Sequence, residues 1–174
     1  MAKLRQIAQL GHNILRNETQ IVNEISNPEI QSLIDDMLIT VKDVNGVGIA
    51  AQQVYESYKI FIIASHPNIR YPNAPFLEPF ALINPEIITH SEEKVKEWEG
   101  CLSVPGIRGL VPRYKSLTVK YLDRNGKPKI AELHDFVARI FQHEYDHING
   151  LVYLDKLENN KDIVSEKEFY KLIN

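Results

Sequence analysis

Apolar residues between positions 27 and 46 recur every three or four residues, which is the period of an amphipathic α-helix. Asn27 and Pro28 supply an N-cap and a first-turn proline, and Asn45-Gly46 supplies a stop signal. The apolar positions are Ile30, Leu33, Ile34, Met37, Leu38 and Val41. This pattern predicts a helix that packs one face on a sheet.

A buried strand and a surface loop are predicted next. Residues 58–64 form an apolar run of strand length. Residues 66–79 contain four prolines among polar residues, which indicates a loop. His66 and His90 are interpreted as loop histidines without a role.

Shorter strands follow this loop. Two of them, 80–84 and 87–89, are predicted on either side of Pro85, because proline interrupts the pairing of a strand. Residues 91–99 are highly charged, which is typical of a solvated edge strand, with Trp98 as the one buried candidate. Residues 117–122 and 129–133 flank an Asn-Gly turn, which is the pattern of a β-hairpin.

A second amphipathic helix is predicted from residue 135 to residue 148. Asp135 is the expected N-cap, and Asn149-Gly150 provides a left-handed stop. The apolar positions are Phe136, Val137, Ile140, Phe141 and Ile148. The order of helix, strands and second helix predicts an α+β fold with mostly antiparallel sheets packed around this central helix.

The second helix carries the sequence His143-Glu144-Tyr145-Asp146-His147, which is an HExxH motif. Two histidines four residues apart lie on one helix face, so both rings can bind one metal ion. Glu144 would stay near the open side of that ion. The motif therefore predicts a hydrolytic metal site on a partly buried helix.

Composition narrows the class of protein. With 174 residues, the chain is expected to form a single domain, 1–174, with a short polar tail at about 158–174. The net charge of −3 comes with scattered Lys and Arg, so no nucleic-acid surface is predicted. The longest apolar run, 60–64, predicts neither a membrane span nor a signal peptide. The single cysteine, Cys101, excludes an internal disulfide and fits a reducing compartment, so the cytoplasm is the predicted location.

A catalytic metal site needs a third protein ligand and an open position. Cys101 would complete a His2Cys set that suits zinc or ferrous iron, whereas Glu166 would make the chain a conventional zinc endopeptidase. A structural zinc site is disfavoured because no second cysteine exists. From the residues alone the candidates are Cys101, His12, His66, His90, His134 and Glu166.

Three segments resemble the signature motifs of the peptide deformylases, in the same order and with similar separations. They are GVGIAAQQ at 46–53, EGCLS at 99–103 and QHEYDHING at 142–150. Taken alone, the first is more typical of a tight turn, and a lone cysteine is most often an inert small hydrophobe. Together they are specific, and the likeness to bacterial members extends over most of the chain.

The resemblance implies that Cys101, His143 and His147 bind one divalent metal ion and that Glu144 is the general acid and base. The metal of the family is ferrous iron, which zinc, nickel or cobalt can replace. The resemblance further implies that Gln53 and the backbone amide of Leu102 stabilise the oxyanion. The substrate cleft would include Val47, Gly48, Gly100 and Ile140, the last beside the methionine pocket.

The implied function is hydrolytic removal of the formyl group from the N-terminal formylmethionine of new peptides, which releases formate. The implied partners are these nascent peptides, and the ribosome near its exit tunnel. Two alternatives stay open: the zinc endopeptidase with Glu166, and a non-catalytic ribosome-associated homologue. The second is disfavoured because an inactive relative would commonly have lost Glu144 or a metal ligand.

The chain departs from the family pattern at two positions. Most members have proline where Gln52 stands, so the assignment of Gln53 rests on counting from the preceding Ala-Ala pair. Many members have glycine where Asp135 stands. Neither departure involves a metal ligand.

Overall fold

The computed structural model describes residues 2–173. It confirms the helix predicted after Asn27, which is α1 (Pro28–Asp43). The Asn27 side chain accepts a hydrogen bond of 2.8 Å from the Glu29 backbone amide, which caps the first turn. Asn45 has a left-handed φ of 51°, and the chain turns away there. The predicted apolar face is almost entirely buried.

Two antiparallel sheets form the body of the fold. The strands are β1 (Gly48–Ala50), β2 (Ile60–Ile63), β3 (Phe80–His90), β4 (Lys94–Cys101), β5 (Val104–Tyr114), β6 (Ser116–Leu122), β7 (Pro128–His134) and β8 (Ile163–Ser165). The first sheet has five strands in the order β1-β2-β3-β6-β7, and the second has three in the order β4-β5-β8. The predicted α+β class and the predicted hairpin, β6 and β7, are therefore confirmed.

The five-stranded sheet has a helix on each face. In β2, Ile60 and Ile62 pack in the apolar cluster of α1, because alternate side chains of a strand point to opposite faces. Phe61 and Ile63 pack in the cluster of the second helix, α2 (Asp135–His147). This layering explains why residues 58–64 are apolar without alternation.

The strand β3 continues past Pro85, so the prediction of two separate strands is wrong. The register of its pairing with β6 shifts between Ile83 and Glu86, which marks a bulge. Asn84 has a φ of 49° there, and its side chain forms two 2.9 Å hydrogen bonds with the backbone of Val22. The bulge thus accommodates the proline inside a continuous strand.

Some single-residue predictions also need correction. His90 is the last residue of β3 and stacks on Tyr114 at 3.7 Å, whereas His66 does lie in a loop. Trp98 is only half-buried, and the buried residue of this charged strand is Glu99, which is 3% exposed. The difference matters because Glu99 lies next to the predicted metal site.

The sequence analysis gives no element for β5, and the prolines and glycines of this strand are typical of turns: Pro105, Gly106, Gly109 and Pro112. Pairing with β4 on one side and β8 on the other outweighs this composition. The polar tail contains β8, which begins at Ile163, and the helix α3 (Glu166–Ile173).

The central helix α2 begins differently from the prediction. The prediction that Asp135 is the N-cap is wrong. The N-cap is His134, whose side chain forms no capping hydrogen bond, and Asp135 follows it with a φ of 47°. Glycine adopts this left-handed conformation freely, and aspartate is one of the few other residues that tolerate it. The helix is followed, as predicted, by Gly150 with a φ of 72°. No helix in residues 2–173 is long and apolar enough to cross a membrane.

Candidate metal centre and substrate cleft

Three potential metal ligands meet between α2 and the end of β4. The ligand atoms of Cys101, His143 and His147 all lie within 4.8 Å of one another. The Cys101 Sγ is 3.2 Å from Nε2 of His147. The helix provides both histidines one turn apart, and the sheet provides the sulfur.

A tight turn fixes the position of the thiol. The register of β4 against β5 shifts between Glu99 and Cys101, and Cys101 then pairs with Val104. The backbone amide of Ser103 points to the Cys101 Sγ at 3.4 Å. The thiol is therefore held by strand pairing and by a backbone donor.

Glu144 lies beside these ligands in a dry environment. It is 4% exposed, and burial raises the pKa of its carboxyl to about 7. Its Oε2 is buried and has no hydrogen-bond partner among the described residues. A Cβ at Gly48 would lie 2.4 Å from Oε1 of Glu144, so only glycine leaves this carboxylate its room. Such a group can exchange a proton near neutral pH.

Glu99 holds one of the histidines, a role that the sequence does not predict. Its Oε2 lies 2.9 Å from Nδ1 of His143, and its Oε1 accepts hydrogen bonds of 2.8 Å from Arg113 and from Arg139. Burial raises the pKa of Glu99, but Arg113 and His143 lower it by more, so the net shift of the pKa is strongly downward. The one feature of the sequence that indicates this role is the position of Glu99, two residues before Cys101.

Glu99 fixes the orientation of one histidine ring, and burial favours the neutral form of the other. Glu99 occupies Nδ1 of His143, which leaves Nε2 for a ligand bond. Burial lowers the pKa of His143, but its hydrogen bonds to Cys101 and Glu99 raise it more, so a cation that binds this ring has to replace its second proton. Burial also lowers the pKa of His147, which favours the neutral ring that binds metals. A sulfur and two imidazoles fit a tetrahedral zinc or ferrous ion with one open position.

Gln53 faces this site, and Gln52 does not. The Nε2 of Gln53 lies 3.6 Å from the Cys101 Sγ and 3.2 Å from Oγ of Ser103. The Nε2 of Gln52 donates to the carbonyl of Asn17 at 2.6 Å, on the other side of the turn. Residues 48–50 form an edge strand and residues 51–54 a 3-10 helix, so the interpretation of this segment as a mere tight turn is wrong.

A cavity of about 220 Å³ opens beside Cys101 and His143. Its walls include the four residues predicted for the substrate cleft, Val47, Gly48, Gly100 and Ile140, together with Gln53, Leu102 and Glu144. Glu166 also reaches this cavity, but it pairs with Arg108 and lies outside the ligand cluster. Among residues 2–173, the other candidate histidines also lie outside the ligand cluster: His12, His66, His90 and His134.

A buried carboxylate beside a cluster of one cysteine and two histidines fits a metal-dependent hydrolase. Comparison with known proteins gives the family. The polypeptide deformylase family matches residues 4–162, and the chain belongs to that family. Peptide deformylase 2 of Nostoc sp. is 53% identical over 171 residues, which cover 98% of this chain and 96% of that protein.

Solved structures agree with this assignment. The class I type b peptide deformylase of Acinetobacter baumannii, with Met-Ala-Ser bound, superposes with a TM-score of 0.87 at 42% identity, covering 90% of this chain and 100% of that one. The peptide deformylase of Thermotoga maritima gives 0.80 at 33% identity, covering 90% and 99%. The chain is thus a metal-dependent hydrolase that removes N-formyl groups from new peptides, and the two alternative functions are not favoured.

Proposed function

We propose that Cys101, His143 and His147 hold one divalent cation and that Glu144 moves the proton during removal of the formyl group from formylmethionyl peptides. The observation that carries this proposal is the convergence of the three ligand atoms within 4.8 Å. The buried carboxylate of Glu144 adjoins them in the same cavity wall.

Ferrous iron is the proposed cation in the cell, with zinc, nickel or cobalt as replacements. One soft thiolate and two imidazoles suit each of these ions. When bound, such an ion supplies Lewis acidity that polarises the formyl carbonyl and lowers the pKa of water.

Glu144 acts first as a base and then as an acid. Its buried carboxylate lies in the cavity wall, and burial raises its pKa, which makes it a stronger base towards the attacking water. The same carboxyl then donates that proton to the amine that leaves as formate is released. Gly48 supports both steps, because its missing side chain leaves space beside Oε1.

Gln53 and Leu102 are the proposed oxyanion donors. The Nε2 of Gln53 lies at the cavity wall near the Cys101 sulfur, and its Oε1 is held by the Ala50 amide at 2.9 Å. That bond fixes which end of the amide faces the cleft. The backbone amide of Leu102, the residue after Cys101, would be the second donor.

The proposed substrate lies extended, with its backbone along Gly48 and Gly100 and its methionine side chain near Val47 and Ile140. Both glycines line the cavity, and both belong to strands that can pair with a peptide, β1 and β4. The relative from Acinetobacter baumannii that holds Met-Ala-Ser supports a peptide of this kind.

The proposed unit of function is a single catalytic domain, 1–174, that acts in the cytoplasm on peptides emerging near the ribosome exit tunnel. These peptides are made there, which is the support for this location. Ribosome docking by the tail, 158–174, has weaker support, since α3 mixes Glu166 and Glu168 with lysines and offers no basic stripe.

The proposal is tested by measuring formate release from formyl-Met-Ala-Ser after anaerobic purification, together with bound metal. Glu144→Gln should keep the metal and lose turnover by about two to four orders of magnitude. Glu132→Gln, on the exposed part of β7, is the matched control and should behave as the wild type. Wild-type turnover in Glu144→Gln would remove this residue from the mechanism.

A further inference from the structure

Arg108 lies at the cavity wall without contributing to the metal centre. It is 4% exposed, and it pairs in register with Val164, so β8 runs alongside it. A buried guanidinium remains charged and needs acceptors. Its partners are therefore informative about what this end of the cavity binds.

The guanidinium of Arg108 lies over Gly100, the residue along which the substrate backbone is proposed. A Cβ at Gly100 would be 2.1 Å from Nη1 of Arg108, so the guanidinium covers the open side of that glycine. Its Nε is buried and has no acceptor among the described residues. A buried donor without a partner is unfavourable, and a peptide carbonyl could supply one.

The C-terminal segment holds this side chain from the other side. Glu166, the first residue of α3, accepts a hydrogen bond from Nη2 of Arg108 and also lines the cavity. The ring of Phe169, 3% exposed, lies 5.3 Å from Cζ of Arg108 and packs edge-on against Trp98. The hydroxyl of Tyr71 lies 3.4 Å from Nη1, which is a weak contact.

We propose that Glu166 is a positioning residue that aims Arg108 at the backbone carbonyls of the peptide beyond its methionine. The C-terminal segment, β8 with α3, would then set how tightly the longer part of the substrate binds. This inference rests on the proposed function. It assigns Glu166 a role in peptide affinity, in place of the metal ligation that the endopeptidase alternative required.

An ion pair that only stabilises the fold would leave the length dependence of the substrate unchanged. A positioning role predicts a selective effect, because only substrates long enough to reach Arg108 lose a contact. The measurement is therefore KM and kcat for two substrates, formyl-Met amide and formyl-Met-Ala-Ser, with the metal-loaded full chain.

Glu166→Ala and Glu166→Gln are the test variants. Glu168→Gln is the matched control, since Glu168 lies two positions further along α3, is 55% exposed and pairs with Lys171. For formyl-Met-Ala-Ser, loss of one charge-assisted contact should raise KM about threefold to tenfold in Glu166→Ala. The value of kcat, and kcat/KM for formyl-Met amide, should change less than about twofold.

An unchanged or lowered KM for formyl-Met-Ala-Ser in Glu166→Ala would overturn the inference. So would an equal loss for both substrates, which would indicate a general structural effect. A wild-type chain that releases no formate from either substrate would instead contradict the proposed function. The two failures are thus distinguishable within one set of assays.

Discussion

Nδ1 of His143 lies 2.9 Å from Oε2 of Glu99, which links a proposed metal ligand to a buried cluster of charges. Arg113 joins the two ends of this cluster, since its Nε donates to Glu99 at 2.8 Å and its Nη1 donates to Asp146 at 2.6 Å. Arg139 is the third residue that contacts Glu99. The orientation of the His143 ring therefore depends on side chains from β4, β5 and α2.

Glu99→Gln should cost about 3 to 5 kcal/mol of unfolding free energy, because it removes the buried anion that two buried arginines share, Arg113 and Arg139. Glu97→Gln removes another partner of the same Arg139, 3.0 Å from its Nε, but Glu97 is 56% exposed. That control should cost less than about 1 kcal/mol. Urea unfolding of the metal-loaded variants measures both, and equal losses would show that burial of Glu99 does not matter.

Cys101→Ser should lose most of its bound metal, because serine replaces a soft thiolate with a poor ligand. Glu166→Gln should keep the wild-type amount, since Glu166 pairs with Arg108 and lies outside the cluster. Elemental analysis after anaerobic gel filtration measures both. Metal loss in Glu166→Gln with retention in Cys101→Ser would reverse the ligand assignment.

Gln53→Ala should keep its metal and lower kcat by about two to three orders of magnitude, because one oxyanion donor is removed. Gln52→Ala is the matched neighbour. Its side chain ties the turn to the carbonyls of Ile14 and Asn17, so its loss should lower stability and leave kcat nearly unchanged. Formate-release kinetics and thermal unfolding separate the two effects, and normal turnover in Gln53→Ala would remove that residue from the mechanism.

The ligand helix could be predicted because its signals are local. His143, His147 and the stop at Gly150 all lie within about two helical turns of one another. The third ligand could not be chosen by spacing, because Cys101 and Glu166 are both compatible with a loop closing onto the helix. In the structure, the pairing of β4 with β5 places the Cys101 sulfur near the two histidines. From the sequence, the family resemblance was the one feature that favoured Cys101 over Glu166.

Glu99 and Arg108 were missed for a physical reason. Glu99 lies in a charged run that has the composition of a solvated strand, and its partners Arg113 and Arg139 are 14 and 40 residues away. Arg108 lies in a segment whose prolines and glycines are typical of turns. Burial of a charge depends on distant partners, so hydropathy along the chain does not reveal it.

The last prediction concerns pH and lies away from the metal centre. Asp36 of α1 has a side chain that is 1% exposed; it accepts hydrogen bonds of 2.8 Å from the Lys3 amide and 2.7 Å from Nε of Arg5. Burial raises the pKa of Asp36, but these two bonds and the charge of Arg5 lower it more, so the net shift is downward from 3.8. The charged form therefore stabilises the folded state.

A carboxyl whose pKa is lower in the folded state contributes stability above its unfolded pKa and loses it as pH falls through the folded pKa. Asp36→Asn should thus be less stable than the wild type at pH 7, and the difference should narrow below about pH 4. Asp35→Asn, whose partner Arg124 is exposed, should show a small difference at every pH. Urea unfolding at several pH values measures these differences. Acid release of the metal affects all three chains alike, so it cancels in the comparison. A difference between Asp36→Asn and the wild type that stays constant down to pH 3 would contradict the lowered pKa.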